Sequence, residues 1–183
     1  MKTLFITEFI KQRKMVGAIA PSSVFLRKKM LAKIDFSKDI NIIELGPGTG
    51  VFTKGILKKM SPKSKLLSFE LNPTFHLKLA NKIKDKRLNF INDSAENIKL
   101  HLTKHNIKSA DFVISSLPLT VIPDNIKNNI IKASYEVLSK NGMFVQFQYS
   151  LNAKKLLSSK FNSVDIVFSS LNIPPAFVYY CNK

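Results

Sequence analysis

Three glycines at alternate positions, Gly46, Gly48 and Gly50, follow directly on an apolar stretch that ends at Leu45. Glycine readily adopts positive φ angles and lets the backbone approach a ligand closely. A helix is predicted to begin at about Val51, and its first N–H groups would supply positive potential for a carboxylate. The spacing therefore predicts a loop that binds a ligand through its backbone, with a turn of no function as the alternative.

Two carboxylates are expected at the ends of the next two strands along the chain. Glu70 closes the stretch 65–70, and Asp93 follows the stretch 88–91. In an open α/β sheet, ligands bind beyond the carboxyl ends of the strands. In that position Glu70 can accept hydrogen bonds from ribose hydroxyls, and Asp93 from an exocyclic adenine amine. With Glu44 directly before the glycine loop, these acids favour a nucleoside site over a simple turn.

Strands and helices are predicted to alternate along the chain, which is typical of a mainly parallel, doubly wound α/β sheet. The apolar patterns predict seven strands, at 42–45, 65–70, 88–91, 111–115, 143–149, 164–169 and 177–180. They predict helices at 3–15, 22–34, 51–59, 73–83 and 124–138. The last two strands are too close in sequence for a crossover helix, so we expect an antiparallel hairpin at the edge of the sheet.

The composition fits one folded domain. A chain of 183 residues with 45% hydrophobic residues can bury a single core. The single cysteine, Cys181, excludes an internal disulfide, and no set of Cys and His has metal-ligand spacing, so we expect a reduced cytoplasm and no metal. No apolar run approaches the ~20 residues of a membrane span. We expect a single domain over residues 1–183, with an N-terminal amphipathic helical segment at 1–35 and a cofactor-binding α/β core at 40–183.

The charge predicts a polyanionic neighbour. The net charge is +17, from 29 Lys and Arg against 12 Asp and Glu, which favours nucleic acid or an anionic membrane surface as a partner. A lysine-rich genome is a second source of such a charge. Near the N-terminus, Lys11, Arg13 and Lys14 stand beside Phe and Ile residues at helical spacing, which is typical of a helix that lies in a membrane interface. The same pattern fits a helix that packs on the domain.

The phrase Glu44-Leu-Gly-Pro-Gly-Thr-Gly-Val-Phe-Thr53 resembles the cofactor loop of the class I S-adenosylmethionine methyltransferases. Among these it is similar to the ribosomal RNA adenine dimethylases and the bacterial phospholipid N-methyltransferases. The resemblance covers about residues 40 to 180 and implies a Rossmann-like fold that binds S-adenosylmethionine and releases S-adenosylhomocysteine. It implies that the three glycines contact the methionine part, Glu70 the ribose and Asp93 the adenine. The expected cofactor contacts also include Ser22, Ser23, Glu44, Ser94 and Ser115.

Four further phrases resemble the bacterial phosphatidylethanolamine N-methyltransferases in particular. They are Val16-Gly-Ala-Ile-Ala-Pro-Ser-Ser23, Ile114-Ser-Ser-Leu-Pro118, Phe144-Val-Gln-Phe-Gln-Tyr149 and Asn172-Ile-Pro-Pro-Ala176. Adenine dimethylases carry an Asn-Leu-Pro-Tyr type sequence after the fourth strand, whereas here Ser116-Leu-Pro118 is followed by Leu119. The aromatic face that would stack on a flipped base is therefore lost. Gln148 stands where this lipid family would have threonine.

The resemblance implies N-methylation of phosphatidylethanolamine and its mono- and dimethyl derivatives, by a protein bound peripherally to the cytoplasmic face of the inner membrane. RNA methylation and ornithine lipid N-methylation are the alternatives. Tyr149, Tyr179 and Tyr180 lie at or near strand ends and are candidates for headgroup contacts, since an aromatic ring attracts a cationic amine. Each is equally well explained as an amphipathic edge residue. The basic residues Lys11, Arg13 and Lys14 are candidates for the membrane and the lipid phosphate. No general base stands out.

Overall fold

The computed structural model describes residues 24–183, so the predictions for Lys11, Arg13, Lys14, Ser22 and Ser23 and for the helix at 3–15 lie outside the described residues. Its strands are β1 (Asn41–Leu45), β2 (Lys65–Phe69), β3 (Leu88–Ile91), β4 (Ala110–Ser115), β5 (Leu138–Gln148), β6 (Ser163–Ser169) and β7 (Ala176–Asn182). Its α-helices are α1 (Val24–Met30), α2 (Val51–Leu57), α3 (Pro73–Lys82), α4 (Ile98–Lys104), α5 (Asp124–Val137) and α6 (Lys154–Ser158). A short 3-10 helix, Ala95–Asn97, precedes α4.

The seven strands form one sheet in the order β3-β2-β1-β4-β5-β7-β6. Strands β1 to β5 are parallel, and β7 runs antiparallel between β5 and β6. The predicted seven-stranded, mainly parallel sheet with an antiparallel C-terminal hairpin is confirmed. Strand order reverses at β1, which pairs with β2 on one side and with β4 on the other. A ligand site is therefore expected beyond the carboxyl ends of these strands.

Apolar side chains cover both faces of the sheet. Successive residues of a strand point to opposite faces, and in β1 Ile43 belongs to one buried cluster while Ile42 belongs to the other. The first cluster includes Ile98 and Leu102 of α4 and Ile130 of α5. The second includes residues of α1 and α2. The sheet is thus a middle layer whose carboxyl edge carries the loops that follow β1, β2, β3 and β4.

Several elements differ from the sequence prediction. Helix α1 ends at Met30, four residues before the predicted end at residue 34. Helices α4, of seven residues, and α6, of five residues, were not predicted. Strand β5 begins at Leu138, although Asn141-Gly142 is typical of a helix end. The ladder between β4 and β5 is irregular there, since Ala110 pairs with Leu138 while Phe112 pairs with Met143. Within residues 24–183, no helix is long and apolar enough to cross a bilayer.

Candidate cofactor and substrate site

A cleft opens at the carboxyl edge of the sheet, where strand order reverses. About 610 Å³ of space lies within it, open solvent at its mouth included. Its polar lining consists of Gly46, Glu70, Asn72, Asp93 and Ser94. Its apolar lining consists of Phe69, Leu71, Ala95, Leu117, Ile122, Ile126 and Ile130. The cleft therefore combines two acidic side chains with aliphatic walls, as a nucleoside site requires.

The three glycines of the predicted loop all have left-handed backbone conformations. The φ angles of Gly46, Gly48 and Gly50 are 73°, 60° and 81°. Gly46 N donates a hydrogen bond to Phe69 O at 2.9 Å, which ties the loop to the end of β2. Gly50 is the residue before α2, and a Cβ atom there would lie 2.8 Å from Leu79 Cδ2. The loop conformation thus depends on glycine for its backbone angles and, at Gly50, for space.

Glu44 is a buried carboxylate beneath the glycine loop, with none of its surface exposed. The hydroxyls of Thr53 and Ser68 donate to its Oε2 atom at 2.8 and 2.7 Å. Because Thr53 belongs to α2 and Ser68 to β2, this carboxylate links three elements around the loop. Its contacts in the structure support the loop, and direct contact of Glu44 with a cofactor stays a prediction.

Glu70 lies at the end of β2 and is only 2% exposed. Asn72 N donates to its Oε1 atom at 3.1 Å. Asn72 in turn caps α3, since its Oδ1 accepts from Thr74 N at 2.8 Å and Phe75 N at 3.2 Å. The amide of Asn92 donates to the backbone carbonyl of Glu70 at 2.7 Å. The carboxylate is therefore positioned by the start of α3, and the backbone of Glu70 by the loop that follows β3.

Asp93 faces the same cleft after β3. Its Oδ1 atom accepts hydrogen bonds from Ser94 N at 2.7 Å and Asn97 Nδ2 at 2.9 Å. Its Oδ2 atom lies 2.9 Å from His101 Nε2, which donates to it. These hydrogen bonds, that of His101 above all, hold the pKa of Asp93 below its ordinary value. The aspartate is thus kept ionised and able to accept hydrogen bonds from a ligand.

His101 was not predicted as a site residue, yet its side chain is only 14% exposed and orients Asp93. Its ring also packs edge-on against Phe69, with ring centroids 5.4 Å apart. The sequence signal for this contact is weak, because Asp93 and His101 are brought together only when the chain turns through the 3-10 helix into α4.

We expect His101→Phe to weaken S-adenosylmethionine binding about 5–10-fold, because it keeps a ring against Phe69 but removes one charge-assisted hydrogen bond from Asp93. Calorimetric titration of the purified variant measures the change. The matched control is His105→Phe at the end of the same helix, which we expect to bind the cofactor as the wild type does. Equal affinities in all three proteins would show that His101 has no role in positioning Asp93.

Two predicted serines have structural contacts at the rim of the cleft. Ser94 caps the 3-10 helix, where its Oγ atom accepts from Glu96 N at 3.2 Å. Glu96 Oε1 accepts a hydrogen bond from Asn129 Nδ2 of α5 at 2.9 Å, which fixes the rim of the cleft to that helix. Ser115 is fully buried at the end of β4, and its Oγ atom accepts from Leu117 N at 3.3 Å. Cofactor contact by Ser94, which lines the cleft, and by Ser115 stays a prediction.

The three predicted tyrosines lie in different environments. Tyr149 is 42% exposed at the end of β5, and its ring packs edge-on against Phe147 at 5.7 Å. Tyr179 is fully buried, and its hydroxyl donates to Ser150 O at 2.9 Å. Tyr180 is 2% exposed, and its hydroxyl donates to Lys29 O.

Burial raises the pKa of all three tyrosine hydroxyls. Because Tyr179 and Tyr180 are enclosed and their hydroxyls bind the backbone, the structure corrects their expected role: both rings pack in the core and neither is open to a headgroup. The sequence pattern could not show this, since strand-end tyrosines look alike until their neighbours are known. A headgroup contact by Tyr149 stays a prediction.

Two glutamines of β5, which were not predicted as site residues, converge on one backbone atom. Gln146 Nε2 and Gln148 Nε2 donate to Leu117 O at 3.0 and 2.9 Å. Leu117 lines the cleft, so these amides fix the loop after β4 where it forms the wall. Both glutamines are nearly or fully buried. Their spacing of two puts them on one face of β5, which is the only sequence signal that pairs them.

The residues of the cleft fit S-adenosylmethionine. The buried Glu70 carboxylate suits a pair of ribose hydroxyls, Asp93 suits an adenine amine, and the aliphatic walls suit an adenine ring. Gly46 lines the cleft and, having no side chain, presents only its backbone there. Among residues 24–183, no group of three or more His, Cys, Asp or Glu could hold a metal ion.

Fold and site together define a Rossmann-like class I methyltransferase that depends on S-adenosylmethionine. The sequence model of the ribosomal RNA adenine dimethylase family matches residues 22–164, and the chain belongs to this family. It is 29% identical over 181 residues to the ornithine lipid N-methyltransferase of Singulisphaera acidiphila, an alignment that covers 97% of this chain and 94% of that protein. The predicted cofactor and the predicted enzyme class are thereby confirmed.

Two solved structures share the fold. The N-methyltransferase NodS of Bradyrhizobium japonicum, in complex with S-adenosylhomocysteine, matches with a TM-score of 0.68 at 13% identity and covers 88% of each chain. The 1,6-didemethyltoxoflavin-N1-methyltransferase of Burkholderia thailandensis matches with a TM-score of 0.71 at 12% identity, over 99% of this chain and 86% of that one. At such low identity these similarities show the fold alone.

Proposed function

We propose that this protein transfers methyl groups from S-adenosylmethionine to the amine of an aminolipid headgroup. The observation that carries this proposal is the identity and burial of the residue after Pro118. It is Leu119, which is 1% exposed and packs in the first core cluster. A leucine offers no aromatic face to stack on a base taken out of a nucleic acid, which weakens the case for a base as the acceptor.

Similarity to the ornithine lipid enzyme over nearly the whole chain supports a lipid amine as the acceptor class. The sequence motifs that resemble those of phosphatidylethanolamine N-methyltransferases support the same class. Both acceptors present a primary amine close to a phosphate or carboxylate at a membrane surface. Within this class, phosphatidylethanolamine with its mono- and dimethyl derivatives and ornithine lipid are the two candidates.

The bound cofactor supplies an electrophilic methyl group, and the protein supplies position and electrostatics. The acceptor amine must give up a proton before it attacks, because an ammonium group has no lone pair. Leu117 forms the wall of the cleft at the end of β4, and the two glutamine amides hold its carbonyl in place. The exposed ring of Tyr149 is suited to attract the cationic product amine.

We expect Gln148→Leu to lower kcat about tenfold and to weaken S-adenosylmethionine binding by no more than about threefold, because Gln146 still donates to Leu117 O. The leucine is similar in size but cannot donate to Leu117 O, so the loop after β4 loses one of its two amide hydrogen bonds. Gln148→Thr, which keeps a shorter donor, should retain more activity. Steady-state kinetics and calorimetry measure the two effects separately. A normal kcat in Gln148→Leu would contradict a positioning role.

A competing function is methylation of RNA. It is favoured by the family to which the chain belongs and by the net charge of +17, which suits a nucleic acid as well as a lipid surface. The N-terminal residues Lys11, Arg13 and Lys14 serve either partner, and under the lipid proposal they contact an anionic membrane from its cytoplasmic face.

The two functions are separated by incubating the purified protein with methyl-labelled S-adenosylmethionine. The acceptors are vesicles with phosphatidylethanolamine, vesicles with ornithine lipid, and total RNA, each alone and then in competition. We expect label in the amine of at least one lipid. Label in RNA alone would refute the lipid proposal. Mass spectrometry of the labelled lipid then counts the methyl groups added.

A further inference from the structure

The connection between β6 and β7 exposes large apolar side chains. We call residues 168–173 the hairpin tip. Within it Phe168, Leu171 and Ile173 are 51%, 64% and 71% exposed. Apolar surface concentrated in one place on a protein marks a binding surface more often than isolated exposed residues do. Leu171 and Ile173 have higher exposed fractions than any other large hydrophobic residue of the described chain.

The hairpin tip has an ordered backbone arrangement. Asn172 is 2% exposed, and its amide donates to Pro174 O at 2.7 Å. The rings of Phe168 and Phe177 lie 5.1 Å apart. Lys29 Nζ donates to Phe168 O at 2.9 Å, which fastens the tip to α1. The polar residue thus points inward, while the leucine and isoleucine on either side of it point outward.

The hairpin tip lies at the edge of the sheet that carries the cleft. Phe177 pairs with Gln148 at the end of β5, and Ala176 pairs with Ser169. The residues between β6 and β7 therefore extend past the carboxyl end of β5. Tyr149 and Leu151, which follow β5, are exposed at the same edge and add to the apolar surface.

Basic side chains lie beside this surface. Lys29 Nζ donates to Phe168 O within the tip. Lys154 and Lys155 are exposed, and they follow Leu151 closely in the chain. An apolar projection with basic flanks complements the interface of an anionic bilayer, where the headgroups are negative and the acyl chains begin.

We propose that the hairpin tip inserts into an anionic lipid surface and thereby brings the mouth of the cleft to the lipid headgroups. This inference deepens the proposed function and rests on it. A lipid substrate is the reason why this edge of the sheet should meet a membrane. It assigns the insertion to Leu171 and Ile173 of the folded core. A second protein, a second copy of the chain or the chain's own N-terminal residues are the other occupants that a test must distinguish.

Tryptophan fluorescence provides a direct test, because the chain contains no tryptophan. In Ile173→Trp the single indole reports on the tip, and in Leu77→Trp it reports on an exposed leucine of α3. Each full-length variant is mixed with vesicles of phosphatidylethanolamine and phosphatidylglycerol, with and without brominated acyl chains. We expect a blue shift and bromine quenching for Ile173→Trp only. An unshifted, unquenched signal from Ile173→Trp would overturn the proposal.

Vesicle sedimentation measures the contribution of the tip to binding. We expect Leu171→Ser/Ile173→Ser to lower partitioning onto anionic vesicles at least about tenfold, because two large apolar side chains no longer leave water. The control Leu77→Ser/Leu100→Ser removes two exposed leucines, 61% and 51% exposed, and should bind as the wild type does. The proposal would be overturned if the tip variant bound vesicles as the wild type does. This includes the result that only deletion of the N-terminal residues abolishes binding. A change in the oligomeric state of the tip variant without loss of vesicle binding would also overturn it.

Separate results show whether membrane insertion by the hairpin tip or methylation of a lipid is wrong. On detergent-dispersed lipid the activity of the tip variant should be within about twofold of the wild-type activity. The cleft is unchanged, and this substrate requires no binding to a vesicle. If the tip variant lost vesicle binding but the wild type methylated no lipid in any form, membrane insertion by the hairpin tip would be upheld and the lipid reaction rejected. Equal activity of the wild type and the tip variant on vesicles would reject membrane insertion by the hairpin tip and uphold the lipid reaction.

Discussion

Glu70→Gln is expected to weaken S-adenosylmethionine binding about 100-fold while the protein stays folded. A carboxylate that accepts hydrogen bonds from two ribose hydroxyls contributes about 3 kcal/mol, which corresponds to that factor. Glutamine keeps an oxygen that can accept from Asn72 N, so the cap of α3 is preserved. Its amide nitrogen cannot accept from a hydroxyl. Calorimetric titration with the cofactor measures the loss.

The matched control for this variant is Glu136→Gln. Glu136 is an exposed carboxylate on α5, 3.9 Å from Lys132 Nζ, and exposed ion pairs contribute little. We expect Glu136→Gln to change neither the affinity for the cofactor nor the melting temperature measurably. If Glu70→Gln bound the cofactor as tightly as this control, the assignment of Glu70 to the ribose would be wrong.

Gly50→Ala has the second largest expected effect. Alanine must adopt a φ of 81°, and its Cβ would lie 2.8 Å from Leu79 Cδ2 and 3.0 Å from Ile83 Cδ1. The backbone strain and the contact together should cost about 2–4 kcal/mol in the free energy of unfolding. For a domain of this size the melting temperature should fall by about 5–12 °C. The affinity for the cofactor should fall about tenfold, since the glycine loop shifts with the start of α2.

The same substitution at Gly55 is the comparison. Gly55 is inside α2, where alanine is the better helix former by about 0.5–1 kcal/mol. A Cβ there would meet the flexible side chain of Arg27, which must move aside. We expect Gly55→Ala to leave stability within about 1 kcal/mol of the wild type and cofactor binding unchanged. Equal effects at both positions would show that the conformation of Gly50 is not special.

The cofactor side of the site could be predicted from the sequence because it depends on local chain order. A strand end, a glycine loop and acids after the next two strands occur in sequence as they occur along the sheet edge. Gly46, Glu70 and Asp93 therefore lie together in one cleft, as their positions along the chain imply.

The contacts of the tyrosines and of the β5 glutamines join distant parts of the chain, and these could not be predicted. The hydroxyl of Tyr180 binds Lys29 O across 151 positions, and Gln148 binds Leu117 O across 31. A periodic pattern identifies the face of a strand but not the atom that a side chain meets there. For the same reason a buried tyrosine and an exposed one at the same sheet edge looked equally suited to a headgroup.

The hairpin tip shows a second limit of sequence reasoning. Leu171 and Ile173 are ordinary hydrophobic residues in the sequence, and apolar residues are usually expected inside. Only the short turn between two antiparallel strands, together with an inward-facing Asn172, turns both of them outward.

The most direct test of the central claim is a crystal structure of the protein with S-adenosylhomocysteine. We expect the ribose hydroxyls within hydrogen-bonding distance of Glu70, the adenine beside Asp93 and between aliphatic side chains, and the amino acid part against the backbone of Gly46 and Gly48. A ligand bound elsewhere, or one in this cleft whose ribose does not contact Glu70, would contradict the account.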